Sequence, residues 1–163
     1  MVRRKTGMAI RCASKAIIIN NGAILLNKCK HEDGRIYYDL PGGGQNAYES
    51  LEDALVREVK EETGYDVRVE KFVALAEEIY TDDDLRAKFP EYTHRIFHIF
   101  KADIISDKKD APTETDFGME GSVWISLNNI EDIKRACSSW LMNLLHNLGK
   151  FDCPLYLGTE YKN

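Results

Sequence analysis

Hydrophobic and polar positions change period several times along the chain, and those changes mark its elements. Residues 13–28, ASKAIIINNGAILLNK, set two aliphatic runs around Asn21-Gly22, a pair that favours positive φ at both centres of a tight hairpin. His31–Gly34 (HEDG) reads as a turn, and Arg35–Leu40 as a short strand entering Pro41 and three glycines. Between Glu49 and Glu62 there is no Gly or Pro, and Leu51, Ala54, Leu55 and Val59 recur at helical spacing. Gly64 stands where a helix can end through a left-handed residue. Tyr65–Tyr80 is strand-rich, 81–92 a polar connection, Thr93–Ile105 a strand, 106–121 a loop and Val123–Leu127 a short strand. Asn128–Leu148 reads as one long amphipathic helix opened by an Asn cap, with Ile133, Cys137, Trp140, Leu141, Leu144, Leu145 and Leu148 as its apolar stripe. Strands and helices in this order predict an α+β fold, a mixed β-sheet sandwiched between α-helices, in one domain over residues 1–163.

Composition narrows the function classes. The 163 residues are 44% hydrophobic and 30% charged, with a net charge of −5. That balance offers no general basic field to nucleic acid or an anionic membrane. An anionic ligand would need local help, from a few Lys or Arg side chains or from a bound cation. Cys12, Cys29, Cys137 and Cys153 form no CxxC pair and read as reduced thiols. The basic start MVRRKTGMAI leads into no apolar run of signal-peptide or membrane-spanning length, so a cytoplasmic location is expected.

The chemistry concentrates at one helix end. Glu58, Glu61 and Glu62 fall on one helical face, in line with Leu51, Ala54 and Leu55, so a stripe that begins apolar ends acidic. A helix C-terminus disfavours each carboxylate by roughly 0.3–1 kcal/mol. Two carboxylates about 5–6 Å apart repel by ~3 kcal/mol at an effective dielectric near 20. Local helix stability therefore does not explain the cluster. A hydrated Glu/Lys surface is the ordinary fate of a charge run; a hard divalent cation, Mg²⁺ or Mn²⁺, would instead reverse the sign of every repulsive contribution.

The order of residues favours the cation. Gly43, five residues, Glu49, seven residues, then Arg57-Glu58-Val59-Lys60-Glu61-Glu62-Thr63-Gly64-Tyr65 resembles the Nudix box of the Nudix hydrolases at every defined position. The resemblance implies the Nudix fold and a pyrophosphohydrolase acting on a nucleoside diphosphate derivative: a nucleoside triphosphate, a nucleotide-sugar, ADP-ribose or a dinucleoside polyphosphate. It implies that Glu58, Glu61 and Glu62 bind the cations, with Glu49 close to a metal. It also implies that Arg57 orients the cluster through a salt bridge including Glu49, and that Gly43 and Gly44 shape the loop beside the diphosphate. The alternative is a non-catalytic Nudix-fold nucleotide-binding module, which usually lacks one or more of the acids or the Arg that this chain keeps.

Other positions stay open. The general base varies within the family between a box glutamate and a later loop acid; here Glu114, Asp116 and Glu120 are candidates, and Glu120 stands four residues before Trp124 in a W-x-x-L segment. Gly42-Gly43-Gly44 is neither a Walker loop nor a GxGxxG fingerprint. His94 and His98 share a strand face with Ile96, as half-buried packing groups or substrate contacts. Tyr80 could stack on a base. Arg86, Lys88 and Arg95 could offer charge to a phosphate, and an exposed part of the last helix could serve a homodimer. Without metal, Glu61→Gln and Glu62→Gln should be slightly more stable through lost repulsion.

Overall fold

A computed structural model describes residues 10–114, 118–150 and 152–162. The chain runs β1 (Arg11–Ile17), β2 (Ile19–Asn20), β3 (Ala23–Lys30), β4 (Ile36–Asp39), α1 (Leu51–Thr63), β5 (Val67–Tyr80), α2 (Asp83–Lys88), a 3₁₀ turn (Pro90–Tyr92), β6 (His94–Ile104), β7 (Met119–Ser126), a 3₁₀ segment (Leu127–Ala136), α3 (Ser139–His146) and β8 (Leu155–Lys162). The fold is α+β. One sheet, β1-β6-β5-β8, is mixed: β1 and β6 are parallel, β5 and β6 antiparallel, β5 and β8 parallel. A second sheet, in which β3 pairs with β2, β4 and β7, is wholly antiparallel and was not separated from the first by sequence pattern alone.

The aliphatic runs of β1 and β3 are buried on both faces. Ala13 and Ile17 of β1, with Ile24 and Leu26 of β3, pack with Phe97, Ile99, Trp140 and Leu141. The alternate residues Ala16, Ile18 and Leu25 pack with Leu55 and Val59 of α1. Two-sided burial is why these stretches read as continuous apolar runs rather than alternating ones. The hairpin between them turns at Asn21 (φ 47°) and Gly22 (φ 74°).

The predicted helix over Asn128–Leu148 is two elements. Ser126, whose hydroxyl accepts from the Asn128 amide, opens the 3₁₀ segment; Cys137 is extended (φ −120°, ψ 152°), and α3 starts after Ser138. Ser126 caps through its side chain, whereas Ser138 makes no side-chain cap hydrogen bond, so the extended backbone at Cys137 is what divides the two elements. The apolar stripe still packs inward, with Trp140, Leu141, Leu144 and Leu145 buried and Ile133, Cys137 and Leu148 half-buried against them. The polar connection 81–92 holds α2, capped by Asp82. Strand β8 was not anticipated. Among the described residues no helix is long and apolar enough to cross a membrane.

Helix α1 ends as its sequence demands. Gly64 is left-handed (φ 78°) and its amide reaches the Lys60 carbonyl. The following loop closes over the end: amides of Thr113 and Glu114 donate to the Glu61 carbonyl, and that of Asp110 to the Gly64 carbonyl. Carbonyls that a helix end leaves orphaned are thereby paired. A Cβ on Gly64 would overlap the Asp110 carbonyl oxygen. Gly64→Ala is therefore expected to lose at least about 1–2 kcal/mol, the cost of a left-handed non-glycine residue, read as a lower urea midpoint at unchanged slope.

Candidate active site

The loop after β4 lies along the free edge of β1. The Ser14 amide donates to the Gly43 carbonyl at 2.9 Å, that of Ala16 to Pro41 at 2.8 Å, and that of Gln45 to Cys12 at 3.1 Å. Gly44 bridges to Ala13. This placement requires two residues without side chains. A Cβ on Gly43 would overlap the Glu58 carboxylate, and one on Gly44 would overlap the Arg11 guanidinium. Lys15, buried on β1, pins the same loop by donating to Asp39 at 2.8 Å and to the carbonyls of Leu40 and Gly42 at 3.1 and 2.8 Å. Burial disfavours its charge, but Asp39 and Glu62 outweigh that and raise its pKa.

Arg57 is the hub of the acidic helix end. Its Nε and one Nη2 hydrogen go to the two Glu49 oxygens at 2.7 and 2.9 Å, and the other Nη2 hydrogen to the Gly44 carbonyl at 3.0 Å. Its Nη1 serves Glu58 at 2.8 Å and Glu61 at 3.0 Å. Every N–H of the guanidinium is thus used. The contacts from Arg57 and from the Asn46 amide hold Glu49 down to about 2, and Glu49 with its neighbours raises the Arg57 pKa. Glu62 is different: it is 3% exposed, and one oxygen accepts from the Gly42 amide and from Asn27 Nδ2, both at 2.7 Å. Ser122 on β7 in turn donates to the side-chain Oδ1 of Asn27 at 2.8 Å. Sequence reasoning missed Asn27, Ser122 and Lys15; a polar residue inside an apolar strand, as in AILLNKC or ASKAIII, is the signal that marks two of them.

The family profile for the NUDIX domain matches residues 11–141. The chain belongs to the Nudix family. A relative 32% identical over 125 residues, covering 71% of this chain and 83% of its own length, is the nucleoside triphosphatase NudI of Enterobacter sp. (strain 638). Among solved structures, a NUDIX hydrolase from Nitrosomonas europaea aligns with a TM-score of 0.71 at 20% identity, over 90% of this chain and 94% of that one. An ADP-ribose pyrophosphatase from Streptococcus suis aligns with a TM-score of 0.55 at 19% identity, over 93% and 100%. The structural likenesses establish the Nudix fold.

Within this Nudix site the remaining candidates separate. Glu120 is the extra residue of a β-bulge opposite Lys28-Cys29 and pairs with Lys28 at 3.0 Å; bulges re-aim side chains in this way. Glu114 is tethered through its amide to the end of α1, and Asp116 lies outside the described residues. His94 pairs with Glu77 at 2.7 Å. Tyr80 lies 5.7 Å from the Arg95 guanidinium carbon. Among the described residues no three acidic, imidazole or thiol groups are already gathered around a cation position. The carboxylates gather on Arg57 instead. The donor set nevertheless suits Mg²⁺ or Mn²⁺: it is all hard oxygen, one guanidinium serves three carboxylates, and the missing Gly43 Cβ leaves room for Glu58.

The surroundings of Glu62 reverse one expectation. Its charge is held by two short donors, and a charge-assisted hydrogen bond is worth about 1.5–3 kcal/mol against about 0.5–1.5 for a neutral one. Without metal, Glu62→Gln is expected to lose about 1–2 kcal/mol, whereas Glu61→Gln, half-exposed on Arg57, should stay within about 0.5 kcal/mol of the parent. Urea melts in EDTA separate the two.

Proposed function

We propose that this Nudix hydrolase uses a divalent cation, Mg²⁺ or Mn²⁺, and water to cleave a diphosphate linkage within a nucleoside diphosphate derivative, with nucleoside triphosphates the first class to try. The carrying observation is the Arg57 hub, which holds Glu49, Glu58 and Glu61 together beside a loop that approaches closely because it has no side chains. The nucleoside triphosphatase activity named for the Enterobacter relative supports the choice of class.

In this reading Glu58, Glu61 and Glu62, with Glu49 beside them, hold the cation. When bound, it supplies a more acidic water and neutralises charge on phosphate oxygens. The chain's own residues do the positioning. Arg57 fixes the carboxylates, and the Gly42 amide with Asn27 aims Glu62. Gly43 and Gly44 allow the diphosphate to lie against the backbone. As water oxygen bonds to phosphorus and the bridging P–O bond breaks, the proton passes to a carboxylate; Glu120, whose ion pair is with Lys28 and not with the Arg57 cluster, is the loop acid we nominate for it. The electron pair of that bond leaves with the departing phosphate.

A panel of nucleoside triphosphates, nucleotide-sugars, ADP-ribose and dinucleoside polyphosphates with phosphate detection tests the reaction. Turnover is expected with Mg²⁺ or Mn²⁺, to vanish in EDTA, and to fall at least about 100-fold in Glu61→Gln. Independently, Mn²⁺ at 100 times its dissociation constant should stabilise the fold by about 2.7 kcal/mol. A flat melting temperature across millimolar Mn²⁺, together with a silent panel, would reject the proposal in favour of a binding module.

A further inference from the structure

The protein carries a net charge of −5, so an anionic substrate needs positive charge at its own site. The side chains nominated for that role are engaged elsewhere. Arg86 donates to the Tyr80 carbonyl at 2.6 Å and pairs with Asp83, Lys88 pairs with Glu32 at 2.7 Å, and Arg95 pairs with buried Glu78. Lys15, Lys28 and Arg57 also have carboxylate partners. Arg11 differs. Among the described residues no carboxylate pairs with it, yet it is half-buried. Its guanidinium lies 4.9 Å from the Tyr92 ring centroid and against Gly44, in the space a Cβ would fill.

The fold aims this group. Arg11 is in register with Arg95 on the parallel strands β1 and β6, and the Arg95 guanidinium carbon lies 5.7 Å from the same Tyr92 ring. The glycine loop is bound to β1 next to it, through Gly44 on Ala13 and the Gln45 amide on the Cys12 carbonyl. A guanidinium held beside another and without a counter-charge is unfavourable by itself, and an oxyanion reverses that sign. Arg suits the place where Lys would not, because its flat fork stacks on a ring and still presents parallel donors.

We propose that Arg11 is a substrate-binding residue that donates to a phosphate oxygen of the nucleotide on the Gly44 side of the loop, with Tyr92 as the platform under its guanidinium. This inference rests on the nucleotide-hydrolase reading above. Gly43 and Gly44 then serve different partners: the first admits the Glu58 carboxylate, the second admits Arg11.

The test compares Arg11→Gln, Arg11→Lys and Tyr92→Leu with the parent in steady-state hydrolysis of the best panel nucleotide, with inorganic pyrophosphate as competitive inhibitor. Arg11→Gln is expected to raise KM and the pyrophosphate inhibition constant together, by about 10–100-fold, the scale of one charge-assisted hydrogen bond. Its kcat should stay within about threefold and its melting temperature close to the parent's. Arg11→Lys should recover part of the loss, and Tyr92→Leu should raise KM less than Arg11→Gln. An unchanged KM overturns the proposal. So does a raised KM with an unchanged pyrophosphate constant, which would move Arg11 to the base or sugar. Should Arg11→Gln fail to fold, Arg11→Lys carries the same comparison. A parent that hydrolyses no nucleotide would defeat the function reading instead; calorimetry of pyrophosphate with Mg²⁺ then still decides, weaker binding by Arg11→Gln supporting the proposal and equal or absent binding overturning it.

Discussion

Helix α1 ends in carboxylates that its own dipole repels, and the rest of the site depends on how that repulsion is contained. One guanidinium does most of it. Arg57 spends all five donors, four of them on three acids and one on the loop carbonyl of Gly44, so the helix, the Glu49 turn and the glycine loop are fixed by a single planar group. A lysine offers three donors around a point and cannot reproduce a fork that faces several acceptors at set angles. The orphan carbonyls behind the acids are closed separately, by amides of the loop over residues 110–114. Containment of charge at the side chains and of hydrogen bonding at the backbone are thus separate solutions at the same helix end.

Pleating then distributes the chemistry. Because the glycine loop runs beside β1 as an added strand, successive residues meet opposite surroundings. Gly43 meets the acidic end of α1, whereas Gly44 meets Arg11 and, through it, the ring of Tyr92. Gly42 belongs to neither set: its amide holds Glu62 and its carbonyl accepts from Lys15. Three consecutive glycines therefore address an acid of α1 at Gly43, a base of β1 at Gly44 and, through the Gly42 backbone, one of each. A side chain at either of the last two would displace a charged partner rather than merely crowd a loop.

Much of this was legible in the sequence, and the reasons differ by element. The Asn21-Gly22 hairpin and the end of α1 at Gly64 follow from local rules acting over a few residues, whereas the convergence of Glu49, Glu58 and Glu61 on Arg57 is what the resemblance to the Nudix box implied. The helix predicted over Asn128–Leu148 failed because apolar periodicity does not register a backbone break, and the chain turns extended at Cys137 between the 3₁₀ segment and α3. Strand β8 has Gly158 at φ 86° in its middle, and its pairing with β5 is fixed by tertiary contact rather than by its own pattern. Lys15 and Asn27 stand out as polar residues inside apolar strands, but their contacts and those of Arg11 were not legible for a further reason. Their partners lie on the glycine loop, on α1 and on the 3₁₀ turn at Tyr92, and no spacing within one strand encodes such contacts.

The buried charges between the two halves of the first sheet point the same way. Glu78 on β5 is 2% exposed and is held from three sides: by Arg95 of β6, by Trp140 Nε1 of α3 at 2.9 Å and by Lys162 of β8 at 3.0 Å. Burial alone would raise its pKa, but the two cations prevail and lower it. Such networks are weak stabilisers, since apolar side chains of similar volume commonly replace them without loss. What this one does is fix Arg95 in place and occupy its charge, which leaves Arg11 as the neighbouring guanidinium that has no acid among the described residues. Lys162 lies beyond the residues matched by the family profile, which end at 141. Strand β8, which supplies it, thereby reaches a buried carboxylate in a sheet whose other strands, β1, β5 and β6, all fall within the match.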